Sequence, residues 1–220
     1  IGANFDLETL AVVSKKPQAE VEAALWEALQ ARFILPQSDV YKFHLEANVI
    51  AHEAMADINI NYHFLHDRVQ QAAYWLIPDS QKPITHLKIG NLLVANRSEI
   101  ELEDQLFDIV NHLNIGIELL ATSAERQQLR QLNFKAALKA KKATAHGMTY
   151  QYALIGINLL ASNSWHEHYE QTLALHELAA ESAYLKGNFE QSQQWSEVIL
   201  RHVQTPLDEV KANEINLFIH

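Results

Sequence analysis

Cysteine is absent from all 220 residues, so a disulfide framework, a thiolate zinc site and a cysteine nucleophile are excluded. Glycine and proline are scarce, at six and five residues, which favours long helices over a many-turned sheet protein. Positive charge is also short: 17 basic residues face 27 acidic ones, for a formal charge of −10. That balance repels a phosphate backbone unless basic side chains cluster strongly, so a nucleic-acid partner is not expected. No apolar run approaches the roughly 20 residues that cross a bilayer, and the N-terminus lacks the basic and apolar regions of a signal peptide. A cytoplasmic chain with no membrane partner is the expectation. The start at Ile1 without methionine, and an end at Leu217-Phe218-Ile219-His220 within a helical pattern, suggest a piece of a longer protein.

What is present is ordinary globular composition, 48% hydrophobic and 20% charged. Its spacing predicts a mostly α fold. Asp6 is placed to cap a first helix through Val13. Lys16-Pro17 then opens a second, with Val21, Ala24, Leu25, Ala28, Leu29 and Phe33 at helical spacing. Phe33-Ile34-Leu35 and Tyr41 to Leu45 flank the turn-rich Pro36-Gln37-Ser38-Asp39 and read as a β-hairpin. Helix, helix and hairpin in that order are the parts of a winged-helix module. Residues 46–61 read as a mobile insertion. Next comes an aromatic strand at Tyr62 running into an amphipathic helix to Ile77, ended by Pro78-Asp79. Two further helices carry Ile84, Leu87, Ile89, Leu92 and Leu93, and then Leu106, Ile109, Val110 and Leu113.

From Arg126 the pattern becomes paired helices that repeat. Tyr150, Ala153, Gly156 and Leu159 recur 39 positions later as Phe189, Ser192, Trp195 and Val198. Tyr184, Gly187, Phe189, Ser192, Trp195 and Val198 are spaced as in a tetratricopeptide (TPR) hairpin, with a helix-ending glycine and three inward positions. The first copy has Ala145 and Met148 where Tyr184 and Gly187 stand, and the period exceeds the usual value of about 34. The reading is therefore TPR-like antiparallel hairpins, set against a plain helical bundle. The domains expected are a winged-helix-like part over 1–95, connecting helices over 96–125, and a TPR-like region over 126–220 truncated at its C-terminus.

The strand-to-helix junction is the main candidate site. A helix start offers unpaired N–H groups and a positive dipole end to an anion, and here His66 and Arg68 stand beside it. The alternative is a well-packed corner with no ligand. Twelve histidines invite a metal, yet His63 and His66 straddle the junction, and His166 and His168 fall on different helix faces. His52-Glu53 and His176-Glu177 lack the second histidine of a zincin signature, so no metal is expected. His112, His146, His176 and His202 read as ordinary interface or surface histidines. No phosphate loop and no Gly-x-Ser-x-Gly elbow occurs, so no catalytic residue is expected within the chain. Glu99, Glu101, Glu103 and Asp104 read as an acidic helix start. Arg126, Arg130, Lys135, Lys139, Lys141 and Lys142 form a basic concentration, read as a solvated face or as a dock for an acidic segment.

Phe64 to Tyr74, His86-Leu87-Lys88-Ile89-Gly90, Phe107 to Asn114 and Ser164-Trp165 together resemble a region of the large multidomain signalling kinases common in cyanobacteria. Those proteins join a serine/threonine kinase, a STAND-type AAA ATPase, GAF sensors and often a histidine kinase. The resemblance implies a non-catalytic regulatory segment just after the ATPase core, made of a winged-helix region and TPR-like helices. ADP or ATP with Mg would be held by the upstream core, with no cofactor in this segment. Partners would be that core, the downstream sensors and proteins docking on the TPR-like helices. His66 matches the winged-helix histidine that touches the β-phosphate of ADP in related switch ATPases, with Arg68 as a second candidate. The alternative is a stand-alone interaction module with no nucleotide role.

Overall fold

The computed structural model describes residues 4–37 and 61–217. They are mostly helical, with three short strands, and the chain divides into two compact units, 1–117 and 118–220.

In the first unit, strand β1 (Asn4–Asp6) leads directly into helix α1 (Leu7–Ser14). Asp6 caps that helix as its position suggested: Oδ1 accepts the Thr9 N–H at 2.7 Å, and Oδ2 accepts the Thr9 hydroxyl at 2.6 Å. Pro17 then precedes α2 (Gln18–Gln30), where its missing N–H costs nothing. Strand β2 (Ile34–Pro36) follows. Its partner is β3 (Asn61–Phe64), which lies between β1 and β2 and runs antiparallel to both. The expected hairpin strand at 41–45 lies outside the described residues, as does the expected insertion except Asn61, which opens β3. The register sets Phe5 opposite Tyr62 and Ile34 opposite Phe64. Phe5, Leu7, Ala11, Val21, Ile34 and Tyr62 make a single core beneath the sheet, Tyr62 being fully buried.

Helix α3 (Asp67–Trp75) stops two residues earlier than expected, because Pro78 disfavours helical geometry just before it. A 3-10 turn (Asp79–Gln81) leads to α4 (Lys82–Asn96), then the short α5 (Glu99–Asp104) and α6 (Leu106–Ile115). Ser98 and Glu101 cap α5 reciprocally, which is the capping role expected of that acidic run. The α6 face Leu106, Ile109, Val110 and Leu113 is buried, as its spacing predicts. Helices α4 and α6 pack together, and Gly90 permits it, since a Cβ there would lie 2.6 Å from Leu113.

The second unit is helical. Helices α7 (Ser123–Lys142) and α8 (His146–Asn158) pack as one hairpin; α10 (Tyr169–Leu185) and α11 (Phe189–Leu200) pack as another. The short α9 (Ser164–Glu167) joins them, and α12 (Pro206–Leu217) packs on α11. The hairpins do repeat, but with a period of 43 residues rather than 39. Thr144 and Gly187, 43 apart, hold the positive φ at the two turns, at 55° and 79°. Matching turn bonds run from Ala145 N to Ala140 O and from Asn188 N to Ala183 O, both at 2.9 Å. In α7, Leu129, Arg130, Asn133, Ala136, Ala137 and Ala140 are buried. The residues 43 positions on, Thr172, Leu173, His176, Ala179, Ala180 and Ala183, are buried in α10. The difference between the two periods is four residues, about one helical turn, so the 39-residue register keeps nearly the same helical phase, although of its four pairs only Ala153 and Ser192 are both buried. Of the three positions read as inward, Ser192 is buried but Trp195 and Val198 are only half-buried, while Ser196 and Ile199 are fully buried; Phe189 is 49% exposed and packs on Tyr184.

The same spacing reaches back into α6. Leu106, Val110 and Leu113 stand 43 positions before Thr149, Ala153 and Gly156, and these 43 before Ser192, Ser196 and Ile199; all nine are buried.

Candidate functional site

The predicted junction is formed by β3 and α3. His66 is the N-cap residue of α3, in extended geometry, and its carbonyl accepts the Val69 N–H at 2.9 Å. Its side chain makes no capping bond. His66 and Arg68 are both exposed, and among the described residues neither side chain has a hydrogen bond or ion pair. Asp67, in the first turn, already places a negative charge at the dipole's positive end. Helix α3 buries none of its residues; Trp75 is 74% exposed and Leu76 just beyond it 84%.

A second feature of the first unit was not anticipated. β1, α1, α4 and α6, with Asn61 of β3, line an open cleft of about 440 Å³. Phe5, Ile89, Leu93 and Ile115 supply apolar lining, and Asp6, Thr9, Arg97, His86, Asp108, Asn111 and His112 supply polar groups. Arg97 donates from Nη2 to Asp6 Oδ2 at 3.2 Å and to Thr9 Oγ1 at 2.9 Å, and its Nη1 lies 3.6 Å from Glu101 Oε1. The Asp6 to Arg97 pair, each side chain 14% exposed, ties the start of α1 to the end of α4.

The histidines form a chain. His86 Nδ1 lies 2.8 Å from His112 Nδ1, and His86 Nε2 lies 3.1 Å from the Tyr74 hydroxyl. Lys82 sits over the Tyr74 ring, 4.8 Å from its centroid, and its ammonium donates to Asp79. One proton between the two Nδ1 atoms satisfies both rings. Burial pushes the His112 pKa down to about 4 and lowers that of His86, so both rings are neutral near pH 7. His66 and Arg68 do not line this cleft.

His112 reads from sequence as an ordinary interface histidine, because its partner lies 26 positions away on another helix. The available signal was modest: His112 is four residues after Asp108, hence on the same helix face. Among the described residues, no three His, Asp or Glu side chains gather as metal ligands.

In the second unit, His176 and His202 meet on Trp165. The His202 ring stacks at 4.5 Å and 4°, and the His176 ring lies at 4.8 Å. His176 is buried; its Nδ1–H donates to the Thr172 carbonyl at 2.7 Å, and burial lowers its pKa. Asn133, 43 residues earlier, donates in the same way to the Leu129 carbonyl at 3.0 Å. Of the basic cluster, Arg126 is exposed, while Lys141 donates to Glu181 at 2.5 Å. Arg130 departs from the solvated face expected for it. It is 4% exposed, because it occupies the inward position that Leu173 fills one repeat later.

Over 194 aligned positions the chain is 32% identical to Hybrid signal transduction histidine kinase G of Dictyostelium discoideum, a match taking in 74% of this chain and 6% of that protein. The similarity relates the chain to signalling proteins, of which it spans a small part. No family model matches the chain, and no solved structure matches it. Among the described residues, no helix is long and apolar enough to cross a membrane.

Proposed function

We propose that this chain is a non-catalytic regulatory segment of a multidomain signalling protein, with its first unit a winged-helix-like module and its second a TPR-like array. In this reading the first unit closes on ADP held by an upstream STAND-type ATPase core. His66 contacts the phosphate and Arg68 assists. ATP, ADP and Mg belong to that core, and the helical array passes the change to sensor domains or docked proteins in the cytoplasm. The observation that carries it is the His66 junction, an exposed histidine with no partner among the described residues, at the start of a helix that buries nothing. The 43-residue hairpin repeat and the similarity to a hybrid histidine kinase support it. A nucleotide contact of this kind would bias a population of closed and open arrangements. Calorimetric titration of ADP into the full parent chain, native against His66→Ala, tests it. Weaker ADP retention is expected in the variant, and equal retention would refute the nucleotide role.

The second reading is a protein-docking module without nucleotide. The exposed Trp75 and Leu76 at the end of α3 favour it, since large apolar side chains so placed commonly mark an interaction surface. Equal ADP retention together with a folded His66→Ala chain is its expected result.

A further inference from the structure

We propose that the cleft between β1, α1, α4 and α6 binds a small organic cation, a primary ammonium carried on a compact apolar body. This inference stands apart from the nucleotide reading, whose residues lie elsewhere. The cleft's volume of about 440 Å³ suits a small molecule, and its lining combines apolar surface with a few convergent polar groups.

Charge decides the ligand class. Near pH 7 both cleft histidines are neutral, so among the side chains lining the cleft Asp6 and Asp108 stand against Arg97, an excess of one negative side chain. Arg97 is already committed to Asp6 and Thr9, so an anion would have to displace an internal ion pair. Asp108, by contrast, is exposed and has no hydrogen bond or ion pair among the described residues, yet it lines the cleft. His112 stands one helical turn further along the same face. When His112 donates its Nδ1 proton to His86, its Nε2 is left as an acceptor, and His86 in turn donates from Nε2 to Tyr74. An ammonium bound there meets a carboxylate and an imidazole acceptor side by side, with Phe5 and Ile115 offering apolar contact to its body.

A charge series on one body tests this: phenethylamine, 2-phenylethanol and 3-phenylpropionate, titrated into the chain while amide shifts of α6 are followed by NMR. The amine is expected to bind most tightly and to shift the Asp108 to His112 amides. Asp108→Asn, at an exposed position that leaves the core intact, should weaken the amine about fivefold, to the level of the alcohol. Failure of the amine to bind, binding of the carboxylate as tight as the amine, or an unchanged amine affinity in Asp108→Asn would each overturn the proposal.

Discussion

His86 and His112 lie ring against ring, with centroids 4.8 Å apart and their Nδ1 atoms 2.8 Å apart, joining α4 to α6 through a single proton. The pair accepts one proton between its facing nitrogens and has no place for two, since two donors would then oppose each other.

A pH dependence follows. Burial holds both pKa values below the ordinary 6.5, with His112 at about 4, so the unfolded chain takes up protons that the folded chain refuses. The stability these rings supply is complete above 6.5 and is lost as pH falls from there toward 4. Because His112 is partly solvated, its share should not exceed about 2 kcal/mol. Urea unfolding between neutral and acidic pH should show less loss in His112→Asn than in the native chain. His176 contributes in the same direction in both proteins, so an identical loss would remove the pair as its cause.

Two helical glycines should respond oppositely to alanine. At Gly90 the new Cβ would meet Leu113 Cγ and Cδ2 at 2.6 Å, so Gly90→Ala should destabilise by about 1–3 kcal/mol. At Gly147 nothing lies within 4 Å, and Gly147→Ala should be neutral or stabilise by up to about 1 kcal/mol through helix propensity. Chemical denaturation of both variants checks the pair of signs.

The two hairpin turns predict another opposition. Gly187 has φ of 79°, where alanine is strained, so Gly187→Ala should cost about 1 kcal/mol. Thr144 occupies the equivalent position at φ 55° with a β-branched side chain. Thr144→Gly should therefore raise the midpoint of thermal unfolding, by relief of about 0.5–1 kcal/mol of strain.

Asp6 serves two contacts whose contributions can be separated. Asp6→Asn keeps an oxygen for the Thr9 N–H and loses the charge facing Arg97, at a cost of about 1 kcal/mol. Asp6→Ala loses the cap as well and should cost about 2 kcal/mol. Equal destabilisation by both substitutions would assign the whole effect to the ion pair.

Local signals were the legible ones. The Asp6 cap, the proline at the start of α2, the α5 acidic start and the buried stripe of α6 all depend on neighbours within about one helical turn. The repeat was legible as a repeat but not in register. Its clearest mark is Ala-Ala-x-x-Ala at 136–140 and again at 179–183, which places the period at 43, whereas the aromatics at 150 and 189 stand 39 apart. The cleft was illegible, because its walls come from segments some ninety residues apart, as Asp6 and Arg97 show.

By itself, then, the sequence determined the helix starts at Asp6, Pro17 and Ser98 and the apolar stripe of α6, since backbone hydrogen bonding and side-chain spacing act over three or four residues. Tertiary structure alone decided that β3 would lie between β1 and β2, that His86 would face His112, and that Arg130 would take a buried position. Helical periodicity tells which side of a helix turns inward but not what it meets there. Displacing one helix by a turn leaves its apolar face unchanged, so only packing against a particular neighbour selects the register.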